Sequence, residues 1–210
     1  MKIVIFGASG ATGKLLVAQA LERGHLVTAF VRTPSKLETR HIALQIAQGD
    51  VKDSAAVARA VAGNEAVLSA LGVGKPLRHD PAVIEGVRNI VRAMEQSGPA
   101  RLIYQSFLGV HEGRAQAGFV LGKIMATLVV RNEVADHEAK EAIIRNSKLD
   151  WTIVRPVVLT KGPHTGVYRH GADIRARSLV PKISRADVAE FMLSQLSDQT
   201  YVRKAVAVMH

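Results

Sequence analysis

A short apolar strand that runs straight into a glycine-punctuated turn and then a helix constrains this chain more than any other stretch. Lys2 to Phe6 is apolar and β-branched, Gly7, Gly10 and Gly13 follow at spacings of three, and a helical pattern occupies Ala11 to Leu21. Gly7 lets the chain turn sharply off the strand, Gly10 admits a pyrophosphate close to the backbone, and Gly13 lets the helix pack close to the sheet. The free N–H groups of the first helical turn, Ala11 among them, then face the phosphates together with the positive end of the helix dipole. Ser9 and Thr12 add hydroxyls that cap the helix or bind phosphate. Glycine also marks ordinary turns, but a turn that follows a strand and opens a helix is the context that dinucleotide binding requires.

The pattern continues as alternating strands and helices. After the first helix ends near Gly24, His25 to Val31 reads as a second strand, stopped by Arg32-Thr33-Pro34-Ser35-Lys36. In a dinucleotide fold the end of this strand meets the adenosine ribose, where an acid binds the 2′-hydroxyl of NAD and an arginine accommodates the 2′-phosphate of NADP. Arg32 stands there with Thr33 beside it and no acid before Glu38, which favours NADPH over NADH; the alternative is an arginine that merely caps a strand at the surface. Ile42 to Gln48 reads as the third strand and Ser54 to Ala62 as a helix capped by Asp53 or Ser54. Between them, the Gly49-Asp50 turn lies on the ligand edge, where Asp50 can bond the adenine amino group, although Asp50 also suits a plain Gly-Asp turn.

Ala66 to Leu71 reads as the fourth strand, Pro81 to Gln96 as a helix and Arg101 to Gln105 as the fifth strand, leading to Ser106 and Phe107. Leu71 ends that strand, and Gly72-Val73-Gly74 gives a permissive turn at the same edge. Such alternation implies right-handed βαβ units with every strand's carboxyl end on one edge of a parallel sheet. Helical spacing fills Ala117 to Ser147, with a break near Arg131-Asn132, and the apolar Phe119, Val120, Ile124, Leu128 and Val129 suit core packing, a lid or a subunit contact. Leu149 to Arg155 reads as a sixth strand stopped by Pro156. Val157 to Leu179 reads as loop with short strands around Val167 and Ile174, Ser184 to Leu196 as the last helix, and Ala205 to Val208 as a closing strand.

Composition narrows the field. A chain of 210 residues suits one α/β domain over residues 1–210, with substrate-side elements in 107–131 and 157–182. There is no cysteine, so disulfides and thiolate chemistry are excluded. The histidines show no ligand spacing with carboxylates, and no metal is expected. The net charge of +10 comes from scattered residues without aromatic interleaving, which suits a phosphorylated cofactor and an acidic substrate better than nucleic acid. With a strand at the N-terminus and no apolar span long enough for a bilayer, no membrane association is expected. A soluble cytoplasmic protein, monomeric or a weak homo-oligomer, is the expectation.

Six stretches together resemble the atypical short-chain dehydrogenase/reductases, in particular the NmrA-like NAD(P)H-binding proteins and the biliverdin IXβ reductase/flavin reductase family. They are GASGATGK at Gly7 to Lys14, VTAFVRTPSKL at Val27 to Leu37, GDV at Gly49 to Val51, EGVRNIVRAM at Glu85 to Met94, LDWTIVRP at Leu149 to Pro156 and ISRADVAEFML at Ile183 to Leu193. The resemblance implies a doubly wound parallel sheet with helices on both faces (a Rossmann fold), NADPH as cofactor, and hydride transfer to a small planar acceptor such as a flavin, a quinone or a linear tetrapyrrole. It places Gly10, Ala11, Thr12 and Gly13 on the pyrophosphate, Arg32 and Thr33 on the 2′-phosphate, Asp50 and Val51 around adenine, and Leu71 and Gly72 near the nicotinamide ribose. Ser106 matches the serine after the family's substrate-side strand, and Pro156 the proline that ends the next one.

Two departures bear on the chemistry. Ordinary members use a Tyr followed four residues later by Lys, in which the tyrosine protonates a carbonyl oxygen; here Leu108, Ala172 and Ala205 follow Tyr104, Tyr168 and Tyr201 at that distance. Flavins and quinones accept hydride and take a proton from water, so they fit a site without a strong acid. Val157 or Val158 replaces the histidine that biliverdin-reducing members carry beyond the proline, which argues against a tetrapyrrole. Ser106 is the leading catalytic candidate, as a donor to the acceptor or to the nicotinamide amide, unless it only satisfies backbone groups at a strand end. Gln105, His111, His164 and Tyr168 are the others. Phe107, Phe119, Val157 and Val158 are expected to line an apolar substrate pocket. The rival to an NADPH-dependent flavin or quinone reductase is a non-catalytic NADP(H) sensor that acts through a protein partner.

Overall fold

The computed structural model describes residues 1–72, 81–116 and 131–210. Five parallel strands come first along the chain: β1 (Lys2–Phe6), β2 (Leu26–Val31), β3 (Leu44–Gln48), β4 (Ala66–Ser69) and β5 (Arg101–Gln105). β6 (Asp150–Pro156) and the closing β10 (Lys204–Met209) extend the sheet, and β8 (Arg169–Gly171) adds an antiparallel edge. The order is β3-β2-β1-β4-β5-β6-β10-β8. Its first six members keep the doubly wound dinucleotide-fold order, which reverses direction beside β1. β7 (Val158–Thr160) and β9 (Lys182–Ser184) form a separate parallel pair.

The central strands lack polar alternation because both faces are covered. Ile3 and Ile5 of β1 point into one core with Leu16, Val17, Val188 and Met192, while Val4 and Phe6 point into the other with Val57, Val61, Ile90 and Ile144. The first layer is α1 (Ala11–Glu22) against the last helix, Arg185–Ser194, and the second holds α2 (Ser54–Val61) and α3 (Pro81–Ser97). α4 (Gly113–Gln116) is a single turn, α5 (Arg131–Arg145) packs on α3, and the last helix is α6. A short 3-10 turn at Pro34–Lys36 links β2 to β3.

Local signals explain the helix starts. Asp53 caps α2, its carboxylate accepting from the N–H groups of Ala55 and Ala56 at 2.9 and 3.1 Å, so of the two expected capping residues it is Asp53 that serves. Ser184 caps α6 by accepting from the Asp187 N–H at 2.9 Å, while its hydroxyl donates to the Asp187 carboxylate at 2.7 Å. That carboxylate also accepts from the N–H groups of Thr165 and Gly166 at 2.7 and 2.9 Å, which ties the loop after β7 down onto α6. Burial opposes the Asp187 charge, but the Ser184 hydroxyl and these N–H donors outweigh it and hold the carboxyl well below its ordinary range.

Two expectations for the last third need correcting. The strands of the 157–182 region stand at 158–160 and 169–171 rather than around Val167 and Ile174, because pairing with Lys182–Ser184 and with the end of β10 selects them. Pro156 does not stop the sixth strand: it is the strand's last residue, in register with Val208. Of the helix expected over Ala117 to Ser147, residues 131–145 are helical and 117–130, with Phe119, lie outside the described residues. Among the described residues no helix is long and apolar enough to cross a membrane.

Candidate functional site

The carboxyl ends of β3, β2, β1, β4, β5 and β6 lie side by side, so one edge gathers residues from six separate stretches of sequence. At its centre, the β1–α1 turn is shaped by two glycines. Gly7 has φ +76°, and a Cβ there would lie 2.6 Å from the Ala70 carbonyl oxygen beyond β4. At Gly13 a Cβ would lie 2.0 Å from the Gly7 carbonyl oxygen, so the helix sits against the turn with no room for a side chain. Gly10 is the N-cap of α1, and no side chain caps the helix there, neither Ser9 nor Thr12 included. The N–H groups of Ala11, Thr12 and Gly13 therefore lack intrahelical acceptors and are available to an anion. Ser9 is half-buried and Thr12 is buried beside them. A turn with glycine at its three tightest points and a helix start without a side-chain cap fit a pyrophosphate.

Arg32 and Thr33 follow the end of β2 and are both exposed. Asp50 and Val51 follow β3. The Asp50 carboxylate accepts from the Lys52 N–H at 3.0 Å, the ordinary Gly-Asp turn bond. Sequence reasoning missed what holds this loop. The Asn89 side chain of α3 donates to the carbonyls of Val51 and Lys52 at 2.9 and 3.2 Å, and Gly86, one turn earlier, leaves space for the Val51 side chain. Both residues belong to the EGVRNIVRAM stretch, where an asparagine between apolar helix positions is the one sequence signal that could have found them. Leu71 is half-buried and Gly72 exposed just beyond β4.

Ser106 follows β5. Its N–H donates to the Val154 carbonyl at 2.8 Å, so Ser106 continues the β5–β6 pairing one residue past the end of β5. Its hydroxyl lies 3.3 Å from Nδ1 of His137 in α5, and both residues are buried. The Phe107 ring meets the His137 ring edge-on, with centroids 4.8 Å apart. Burial pushes the His137 imidazole down to about 3, with the Lys140 charge adding to the effect, so the ring is neutral near neutral pH. His137 was not a sequence candidate, because nothing in linear spacing sets it beside a residue 31 positions away.

Behind this pair is a buried ion pair. Arg155 of β6 and Glu141 of α5 are 1 % and 0 % exposed and meet through two bonds, Nε to Oε1 at 3.0 Å and Nη2 to Oε2 at 2.5 Å. Burial works against the guanidinium, and Glu141, by hydrogen bond and by charge, more than offsets it and raises the Arg155 pKa. Exposed Glu112 bridges Arg155 and Arg145 at 3.0 and 2.7 Å. Tyr104 is buried in the same region. Burial and the Glu141 charge push its phenol well up, and its hydroxyl has no hydrogen-bond partner among the described residues.

The other candidates disperse. Pro156 and buried Val157 stay beside Ser106 through the Leu108 N–H, which donates to the Pro156 carbonyl at 3.0 Å, while Val158 is 40 % exposed at the start of β7. The Tyr168 hydroxyl donates to Glu190 of α6, and burial with that carboxylate raises its pKa. His111 is exposed, with Nε2 3.9 Å from Glu141, and His164 is exposed in the loop tied to Asp187. Gln105 is half-buried at the end of β5. Among the described residues no cluster of His, Asp and Glu could hold a metal ion.

Strand order, edge and glycine turn together define a Rossmann-type dinucleotide-binding protein. A profile of the NAD(P)H-binding family matches residues 7–199, and the chain belongs to that family. The UPF0659 protein YMR090W of Saccharomyces cerevisiae is 26 % identical over 220 residues, a match that takes in 100 % of this chain and 93 % of that protein. A short-chain dehydrogenase/reductase (wide type) from Veillonella parvula, solved in complex with NADP, aligns with a TM-score of 0.83 at 20 % identity, over 100 % of this chain and 94 % of that one. ChuY from Escherichia coli O157:H7, an anaerobilin reductase, aligns with a TM-score of 0.78 at 21 % identity, over 99 % and 96 %. These two likenesses bear on the fold alone. The expected Rossmann fold is borne out, and the resemblance is borne out as membership of the NAD(P)H-binding family.

Proposed function

We propose that the protein is an NADPH-dependent reductase that delivers hydride to a small planar acceptor of flavin or quinone type. One observation carries the reading: a glycine-shaped turn after β1 that opens a helix whose N-cap glycine brings no side chain, with exposed Arg32 rather than an acid at the end of the adjoining β2. When bound, the cofactor supplies a hydride from its nicotinamide ring. The turn from Gly7 to Gly13, with Ser9, Gly10, Ala11 and Thr12, holds the pyrophosphate, and Arg32 and Thr33 take the 2′-phosphate. Asp50 and Val51, the latter held through its carbonyl by Asn89, border adenine, and Leu71 and Gly72 border the nicotinamide ribose.

Ser106 and Pro156 flank the reacting end. Phe107, Val157 and Val158 give that end its apolar side and keep water from it, and Phe119 is assigned there on its sequence position. The contribution of these residues is positional: they align a flat acceptor with the ring and leave its proton to come from solvent. The likeness in fold to ChuY is in keeping with a reductase. The setting proposed is the cytoplasm, with the chain acting as a monomer or weak homo-oligomer.

NADPH consumption by the purified protein with FMN, a quinone or biliverdin as acceptor tests the reading. Saturable turnover with FMN or the quinone is expected, and little with biliverdin. NADPH binding without turnover of any acceptor would instead make the protein a sensor of cofactor redox state.

A further inference from the structure

One buried stripe of α5 is Val134, His137, Glu141 and Ile144, with Asp136 and Lys140 buried beside it. Val134 and Ile144 are what such a stripe ordinarily carries, and Glu141 has the Arg155 guanidinium. An imidazole at 137 costs desolvation that an apolar residue would not. Its contact with Ser106 recovers little of that, since at 3.3 Å the bond is long. The pair therefore has little value as a stabilising contact, and its position is the better clue: Ser106 lies one residue beyond the carboxyl end of β5, at the ligand edge.

A serine hydroxyl has one proton and two lone pairs. A ring N–H that occupies one lone pair fixes the side chain and leaves the hydroxyl proton free for a third group. We propose that His137 is a positioning residue, whose Nδ1–H donates to the Ser106 oxygen and turns the Ser106 O–H toward the nicotinamide end of the cofactor and its acceptor. The Phe107 ring against the imidazole edge holds the ring in that orientation. This rests on the reductase reading of the same edge. His137 touches neither cofactor nor acceptor and moves no proton itself.

The test is a double-mutant cycle with a spectroscopic arm. Ser106→Ala and His137→Ala are each expected to lower kcat about 10- to 30-fold with the KM for NADPH within about twofold, and the double variant is expected to be no slower than Ser106→Ala. His137→Asn, which sets an amide N–H near the place of Nδ1–H, is expected to recover most of the loss. Additive losses in the cycle, or a His137→Ala variant with unchanged kcat, would overturn the proposal.

The second arm needs no turnover. Nitrogen NMR of histidine-labelled protein is expected to show His137 protonated at Nδ1, with ring signals that move on saturation with NADP⁺ and no longer do so in Ser106→Ala. Signals indifferent to NADP⁺, or a proton on Nε2 alone, would sink the assignment. A response to NADP⁺ in a protein that reduces no acceptor would uphold the pair's place at the cofactor and discard the reductase reading instead.

Discussion

A Glu141→Ala variant is expected to lose about 3–5 kcal/mol of stability, because it leaves the Arg155 guanidinium buried without its main counter-charge. For a chain of this length that lowers the thermal midpoint by roughly 7–11 °C. The size follows from burial: Arg155 is 1 % exposed, and Glu141 makes two of its bonds. Glu112, whose side chain is 59 % exposed, bridges the same arginine from the surface, and Glu112→Ala is expected to cost about 1 kcal/mol or less. Replacing both partners at once, as Glu141→Leu with Arg155→Met, is expected to come close to the wild type, since neither charge is then stranded. Denaturant melts of the four proteins check this, and a Glu141→Ala variant within about 1 kcal/mol of the wild type would contradict it. The pair fixes α5 on β6 one turn from His137, so its loss also loosens the candidate site.

Gly13→Ala is expected to weaken NADPH binding about 100-fold or more, a loss of about 2.7 kcal/mol. Its Cβ would lie 2.0 Å from the Gly7 carbonyl oxygen and 2.8 Å from the Ala8 Cα, both backbone atoms that cannot turn aside. The helix start must retreat, and the N–H groups it presents retreat with it. Gly24→Ala separates this effect from ordinary strain. Gly24 has φ +76° with nothing within 4 Å of a Cβ, so the substitution costs about 1 kcal/mol of backbone strain and leaves NADPH affinity unchanged. Titration of both variants with NADPH distinguishes them, and equal affinities would remove the turn from the cofactor site.

The parallel core of the fold could be read from the sequence because its signals are local: an apolar run, a turn residue and a helical period mark β1 through β6 to within two residues, the start of β3 and the end of β4 being the largest misses. The 157–182 region could not be read that way. Its strands are three residues long and form where distant partners select them, Val158 against Lys182 and Arg169 against Met209, so Val167 and Ile174 misled. The same division runs through the site. Gly7, Gly13 and Arg32 announce themselves by type and by place after a strand. Asn89, Glu141 and His137 do not, because each matters through a side chain that meets another segment: the Val51 carbonyl, the Arg155 guanidinium, the Ser106 hydroxyl. Helical periodicity puts 137, 141 and 144 on one face but leaves open what that face meets.

The most direct test of the cofactor seat is the pair of dissociation constants for NADPH and NADH, measured by titration of the wild type and of Arg32→Ala. The account predicts that the wild type binds NADPH at least about tenfold more tightly than NADH, and that Arg32→Ala weakens NADPH about 10- to 100-fold while NADH stays within about twofold, as expected for loss of a charged partner of the 2′-phosphate. Equal affinities in the wild type, with no selective loss in the variant, would mean that Arg32 merely caps a strand and that the NADPH assignment is wrong.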